Sequence, residues 1–298
     1  MALKNNVLFI LNPTAGNSDV NLLKDEVKDV CEKNSLAFEI METSGDNDQK
    51  RIADKVKGSN FNRVVVAGGD GTINLAASVL KDAGVSMGII PTGSANGLAL
   101  NLNLPDALED QIKVALGETT YAMDMLVVNG EDCLHVADLG LNAELIRNYD
   151  SSSIHGKLGY ILQSIPTLFK ADYPYHFEIT IDGNRKNFKG ILLAIANAPK
   201  FGMGATINPN GKMNDGKFEV IIFKKLNFFQ ILKTFTNGYQ LKSEFAEHFS
   251  IDAVHVTCKH SIALQIDGEY FGEQTDIEVK ILPGAIEIAA QENNEFFV

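Results

Sequence analysis

Through its first 125 residues the chain alternates short apolar runs with amphipathic stretches. Residues 7–11, Val-Leu-Phe-Ile-Leu, read as a buried strand, and Leu22, Leu23, Val27 and Val30 give residues 21–32 helical spacing. A second strand is expected over 36–41, followed by a polar helix over 47–57. A third strand at 63–67 precedes a helix over 72–83, and a fourth at 85–90 leads to helical patterns near 95–100 and 107–116. Strands alternating with helices predict βαβ units and a doubly wound, mostly parallel sheet covered on both faces.

After Asp124 the texture changes. Residues 175–181 and 188–197 flank Asp182-Gly183-Asn184, a sequence suited to a hairpin turn. Alternating or β-branched runs follow at 217–223, 249–257, 262–266 and 277–281. This half is expected to be antiparallel and β-sandwich-like, with a few helices. The expected division is an α/β domain over 1–125 and a β-rich domain over 126–284, with a final strand in 285–298 able to rejoin the first.

The densest chemical signal is Gly68-Gly69-Asp70-Gly71-Thr72-Ile73-Asn74, directly after the third strand and before a helix. Ligands of open α/β sheets bind where strands end. Glycines let the backbone approach phosphate oxygens, and a helix N-terminus offers unpaired N–H groups. Asp70 is a candidate for a magnesium ion bridging phosphates; the plainer alternative is a tight turn with Asp70 or Thr72 as a helix cap. Asn12-Pro13-Thr14-Ala15-Gly16 and Pro91-Thr92-Gly93-Ser94-Ala95-Asn96 follow the first and fourth strands, and taken singly each is an ordinary turn. In a parallel sheet all three would line one edge. Neither a G-x-x-x-x-G-K-[ST] loop nor a G-x-G-x-x-G after the first strand is present, which argues against P-loop enzymes and dinucleotide-dependent dehydrogenases.

Charge narrows the partners. A formal net charge of −12 disfavours nucleic acid, which needs clustered Lys and Arg, and disfavours purely electrostatic attachment to an anionic membrane. Cys31, Cys133 and Cys258 are scattered and read as reduced thiols of a cytoplasmic protein. No run approaches the roughly 20 apolar residues of a membrane-spanning helix, and residues 1–11 do not resemble a secretion signal. The six histidines lack metal-ligand spacing, and Ser94 has no hydrolase signature around it.

The ordered motifs resemble the catalytic domain shared by diacylglycerol kinases, sphingosine kinases, ceramide kinases and bacterial soluble lipid kinases. Asn12-Pro13-x-x-Gly16, Gly68-Gly69-Asp70-Gly71-Thr72-x-Asn74 and Pro91-x-Gly93-Ser94-x-Asn96 carry the first half of the resemblance. Asp124, Asn214-Asp215-Gly216-Lys217-Phe218 and Asp267-Gly268-Glu269 carry the second. The resemblance implies ATP as phosphate donor, Mg2+, a lipid alcohol as acceptor, and an active site in the cleft between the two domains. It places nucleotide contacts on Asn12, Thr43, Gly68, Gly69, Asp70, Gly71, Thr72, Asn74 and Ser94. It places a general base on Glu269, supported by Asp267, and a structural Mg2+ on the Lys212 carbonyl, Asp215 and the Lys217 carbonyl. Asp70 and Asp124 remain candidates for a metal-and-water network. Gly97 departs from the acidic residue of many bacterial diacylglycerol kinases, and the Ser94–Leu98 stretch is closer to sphingosine kinases, which leaves the lipid open.

Read from the residues alone, Asp267 and Glu269 are two apart and would share one face of a strand, although Asp-Gly is also a preferred hairpin turn. Asp215-Gly216 has the same ambiguity. Apolar stripes over 154–169 and 226–235 suit helices packed on a sheet or the wall of an acyl-chain site. Lys157, Lys170, Lys224, Lys225 and Lys233 flank them, which permits transient contact with a membrane surface. A homodimer is compatible with the sequence. Competing expectations are a soluble-substrate kinase related to NAD kinases and a non-catalytic nucleotide or lipid sensor.

Overall fold

Strands β1 (Asn6–Leu11) and β3 (Arg63–Gly68) are buried from their second residue onward, the signature of strands covered on both faces. They lie in a computed structural model that describes residues 6–16, 19–150, 174–181, 183–201, 204–225, 230, 233–236 and 241–298. The chain divides into two units, Met1–Met123 with Gly284–Val298, and Asp124–Pro283.

In the first unit β1, α1 (Val20–Lys33), β2 (Ala37–Glu42), α2 (Asp48–Lys57), β3, α3 (Asp70–Leu80) and β4 (Ser86–Pro91) alternate along the chain, followed by α4 (Gly97–Asn101) and α5 (Leu108–Leu116). The sheet order is β2-β1-β3-β4 and every pairing is parallel. The end of a long strand, β16 (Glu269–Ala289), adds in parallel beside β4, where Ile288 faces Met87. Helix α1 starts where the Asp19 carboxylate accepts the Asn21 and Leu22 amides. Its Leu23, Val27 and Cys31 recur at helical spacing and bury against Phe9, Leu11, Val65 and Ala67, beside Ile112 and Ala115 of α5. Arg63 anchors the far end of α5 by donating to the Ala115 carbonyl at 2.6 Å and the Gly117 carbonyl at 2.9 Å. Four parallel strands end on one edge, so the loops after β1, β2, β3 and β4 emerge together.

The second unit contains β5 (Thr120–Val128) from Asp124 onward, then β6 (Glu131–Cys133), β7 (Val136–Gly140), α6 (Leu141–Asp150), β8 (Tyr175–Ile181), β9 (Asn184–Gly190) and β10 (Leu192–Ala196). A small hairpin of β11 (Lys200–Phe201) and β12 (Ala205–Thr206) precedes β13 (Phe218–Phe223), β14 (Ala246–Ile251), β15 (Ala253–Ile266) and the first part of β16. The order β14-β13-β10-β7-β15-β16 is antiparallel throughout. Strand β15 pairs with β8 through its first half and with β7 through its last residues. Register shifts between Thr257 and Ile262 and between Ala263 and Gln265 let one 14-residue strand bend from one layer to the other. Phe177, Ile179, Leu193, Ile195, Phe218, Val220 and Leu264 fill the core. Doubly wound parallel sheet plus antiparallel sandwich is the architecture expected from the sequence.

Local expectations needed correction. Residues 188–197 are not one strand. The chain breaks at Ile191, whose amide bonds to the Phe223 carbonyl and whose carbonyl accepts the Leu141 amide. The first of the two strands, β9, starts at Asn184 and is mostly polar and exposed, which hid it from a search for apolar runs. The run 249–257 contains the turn between β14 and β15. Helix α3 starts at Asp70 rather than Thr72. Among the described residues no helix is long and apolar enough to cross a membrane.

One polar residue sits in the middle of the second unit's sheet. Asp138 of β7 is fully buried, and burial pushes its carboxyl up to about 7 against hydrogen bonds from Asn142, Gln265 and the Ala143 amide. A carboxyl that titrates higher when folded than when unfolded stabilises the fold in its protonated form. That contribution is complete below about pH 4 and is lost as pH rises through about 7. Its loss costs on the order of 4 kcal/mol between those limits. Urea midpoints measured from pH 4 to pH 8 should therefore fall more steeply for the wild type than for Asp138→Asn.

Candidate active site

The three glycine-containing loops of the first unit touch through their backbones. Gly16 has φ +59°, and a Cβ there would lie 2.1 Å from the Thr92 carbonyl oxygen. A Cβ on Gly93 would lie 2.6 Å from the Gly69 Cα. A Cβ on Gly68 would meet the Thr72 side chain at 2.6 Å. Side chains complete the joint: Asn12 Nδ2 donates to Thr72 Oγ1 at 2.8 Å, and Asn12 Oδ1 accepts the Thr14 amide and hydroxyl. The Asn12 amide bonds to the Ala67 carbonyl and the Thr92 amide to the Gly68 carbonyl, tying each loop to the next strand.

Helix α3 opens on this joint, with Gly69 at its cap, a residue that has no side chain to bond the helix's first N–H groups. Backbone amides at a helix N-terminus beside glycines suit phosphate oxygens. Asp70 turns aside, its carboxylate accepting the Gly97 amide at 3.1 Å and the Leu98 amide at 3.4 Å, so it caps α4. Gly71, in the first turn of α3, and Ser94, on the loop after β4, are exposed, and Asn74 lies one turn into α3. Thr43 belongs to the same edge through its amide bond to the Leu11 carbonyl. Among the described residues, Thr92 Oγ1 and Asn96 Oδ1 are buried without a hydrogen-bond partner.

In the second unit Glu269 is the exposed first residue of β16 and faces Ile266 across a two-residue turn. Asp267 (φ +48°) and Gly268 (φ +90°) are both left-handed, the geometry of a tight type I′ hairpin. The expectation that Asp267 and Glu269 share a strand face therefore fails. The turn rotates the Asp267 carboxylate inward, where it accepts the amides of Leu134 (2.7 Å), His135 (2.9 Å) and Val136 (3.0 Å) and the Cys133 thiol (3.4 Å). Burial raises its carboxyl above the usual range, opposed by His135 and the three amides. Asp267 is an anchor of the turn and Glu269 is what the turn presents.

Asp124 is buried, and its Oδ2 accepts the Gly216 amide at 2.7 Å. Its own amide bonds to the Met213 carbonyl, so it fixes the loop that carries Lys212, Asp215 and Lys217. Within that loop Asp215 Oδ1 accepts the Lys217 amide at 3.0 Å and Gly216 adopts φ +74°. One exposed carboxylate flanked by backbone carbonyls fits a hard cation in donor type. No group of three or more His, Cys, Asp or Glu side chains able to hold a metal occurs among the described residues.

Three contributors escaped the sequence reading. Asn197 Nδ2 donates to the Asp124 and Leu134 carbonyls, joining the Asp124 loop to the amides that hold Asp267. Asp138 and Gln265 lie behind the Glu269 turn. Each is a polar residue intruding into an apolar run, the one signal that could have found them. The stripe 154–169, with Lys157 and Lys170, lies outside the described residues, as do most of residues 226–235. Lys224 is committed to the Ser243 carbonyl and to Glu247.

With that geometry in place, comparison with known proteins is decisive. Residues 6–128 match the diacylglycerol kinase catalytic domain, and residues 136–290 match the YegS C-terminal NAD kinase beta sandwich-like domain. The chain belongs to the diacylglycerol kinase catalytic-domain family. Relatives include a diacylglycerol kinase of Bacillus subtilis, 28% identical over 279 residues and covering 89% of both chains. Another is the "Probable lipid kinase YegS-like" protein of Chromohalobacter salexigens, 27% identical over 241 residues, which are 78% of this chain and 77% of that one. A crystal structure of a diacylglycerol kinase from Bacillus anthracis has the same fold, with a TM-score of 0.73, 17% identity and 97% of each chain covered. The two matched domains span the glycine loops, the Asp215 loop and the Glu269 turn.

Two left-handed glycines of the first unit differ in what holds them. Gly16 combines a left-handed φ with a backbone carbonyl in the way of any Cβ, whereas Gly45 (φ +80°) has nothing within 4 Å. Gly45→Ala should cost about 1 kcal/mol from backbone conformation alone, and Gly16→Ala about 2–3 kcal/mol, because two strained loops must part. Urea denaturation of the two variants checks the difference.

Proposed function

We propose that the chain is an ATP-dependent lipid kinase that transfers the γ-phosphate to the hydroxyl of a diacylglycerol, a sphingoid base or a related lipid. The observation that carries this reading is the close backbone joint of Gly16–Thr92 and Gly69–Gly93, with the Thr72 side chain packed against Gly68, at the start of α3 in a member of this family. Such a joint offers amides, not bulk, to an anion, and the triphosphate is the anion the family's chemistry requires.

The step proposed is in-line displacement. The lipid hydroxyl oxygen bonds to the γ-phosphorus as the bond to the β-bridging oxygen breaks, releasing ADP, and the hydroxyl proton passes to the Glu269 carboxylate. Glu269 suits the role because it is exposed at a rigid turn, while Asp267 beside it is consumed by amides. A structural Mg2+ would be held by Asp215 and the Lys212 and Lys217 carbonyls, and a Mg2+ that neutralises phosphate charge would draw on Asp70 and Asp124 as candidates. The lipid is drawn from a membrane surface by transient contact. A soluble acceptor, as in kinases related to NAD kinases, is the second reading, supported by the description of the matched C-terminal domain.

Labelled ATP, Mg2+ and a total lipid extract test the proposal. A phosphorylated lipid is the expected product, and Glu269→Gln should lower turnover by about 10²–10⁴-fold with ATP affinity unchanged. Label appearing only in a water-soluble product, or in none despite ATP binding, would overturn it.

A further inference from the structure

The turn that presents Glu269 is held from behind by side chains to which the phosphate transfer assigns no task. The Gly268 amide donates to Gln265 Oε1 at 2.7 Å. Gln265 Nε2 donates to Asp138 Oδ2 at 2.5 Å, and Asn142 Nδ2, from the first turn of α6, donates to the same oxygen at 2.7 Å. Asp138 and Gln265 face each other across the β7–β15 ladder and are 0% and 1% exposed.

The chain of bonds has a direction. Asp138 Oδ2 accepts from both Gln265 Nε2 and Asn142 Nδ2, so the Gln265 amide points its nitrogen at Asp138 and its oxygen at Gly268. Asp138 thereby selects the one orientation of Gln265 that can hold the turn. Helix α6 also reaches β16, the strand that begins at Glu269, through Arg147, which donates to Glu273 at 2.9 Å and lies 6.0 Å from the Tyr270 ring centre.

Folding alone does not call for this arrangement. An Asp-Gly pair forms a type I′ turn without assistance. Opposite Asp138 on the other neighbouring strand is Ala194, and an apolar pair at 138 and 265 would avoid burying a carboxyl and an amide. A buried polar chain ending on the amide beside Glu269 is explained if the direction of Glu269 matters.

We infer that Asp138 and Gln265 are positioning residues which, acting through the Gly268 amide, aim the Glu269 carboxylate at the acceptor hydroxyl. The inference rests on the reading of Glu269 as the base. Removing either residue leaves the hairpin formed but frees it to rock, and Glu269 then spends less time in reach of the proton.

The test combines steady-state kinetics on the lipid extract with hydrogen exchange of the Gly268 amide. It uses the wild type, Asp138→Asn, Gln265→Glu and the double variant. Each single change should lower kcat by about 10- to 100-fold with KM for ATP held within about twofold. Gly268 exchange should quicken about tenfold in each. The double variant restores the chain in reverse: the amide now at position 138 donates to the carboxylate now at position 265, whose other oxygen accepts the Gly268 amide. It should recover kcat and protection to within a few-fold of wild type, as coupled neighbours do. Single variants with unchanged kcat, or a double variant no better than the worse single, would overturn the inference. Unfolding of both single variants would count against it as well, because it requires the turn to loosen and the sheet to persist. A wild type that phosphorylates no lipid would sink the kinase reading instead. Unchanged Gly268 exchange in Asp138→Asn overturns the positioning network whether or not the wild type is active.

Discussion

Gly69 and Gly93 meet backbone to backbone, so closely that a Cβ on Gly93 would lie 2.6 Å from the Gly69 Cα. On that approach the first unit's chemistry depends. Parallel pairing delivers the loops after β1, β3 and β4 to one edge, but only glycine lets them close on one another. At that point α3 begins on Gly69, which has no side chain to cap it, and the one acidic side chain of that turn, Asp70, is drawn away to cap α4. The result is a small surface of backbone donors whose shape is set by sterics rather than by flexible side chains. It is a surface that an anion can use without reorganising it.

The second unit solves a different problem with different means. As the proposed base, Glu269 must be exposed yet fixed, and a hairpin tip is ordinarily a mobile place. Asp267 ties the turn to the amides of residues 134–136, Asn197 ties those to Asp124, and Asp124 holds the loop of Asp215. Gln265 and Asp138 grip the turn from the opposite flank. Buried polar groups cost desolvation unless every bond is made. Their concentration around one exposed carboxylate is the clearest physical pointer to where precision is needed.

Much of the architecture was legible in the residues. Strands β1, β3 and β4 are uninterrupted apolar runs, and α1 has apolar positions at three- and four-residue spacing, so each betrays its burial directly. The sandwich was legible in kind but not in detail. Strand β9 is a polar edge strand that pairs through its backbone, which no hydrophobic pattern records. Strand β7 carries Asp138 in its centre, and that charge disguised a fully buried strand. The motif residues could be found but not their orientation. Two-residue spacing suggested that Asp267 and Glu269 point alike, whereas two left-handed residues turn one inward and leave the other outside. Long-range partners such as Asn197 and Gln265 have no local signature, because their roles exist only once distant strands pair.

The central claim is that the glycine joint of the first unit receives a triphosphate. Its most direct test is to follow backbone amide resonances while ATP and Mg2+ are added. The account predicts the largest shifts at Asn12–Gly16, Gly68–Asn74 and Thr92–Gly97, with little change along α1 and α5. Saturable ATP binding that leaves those loops unmoved would contradict it.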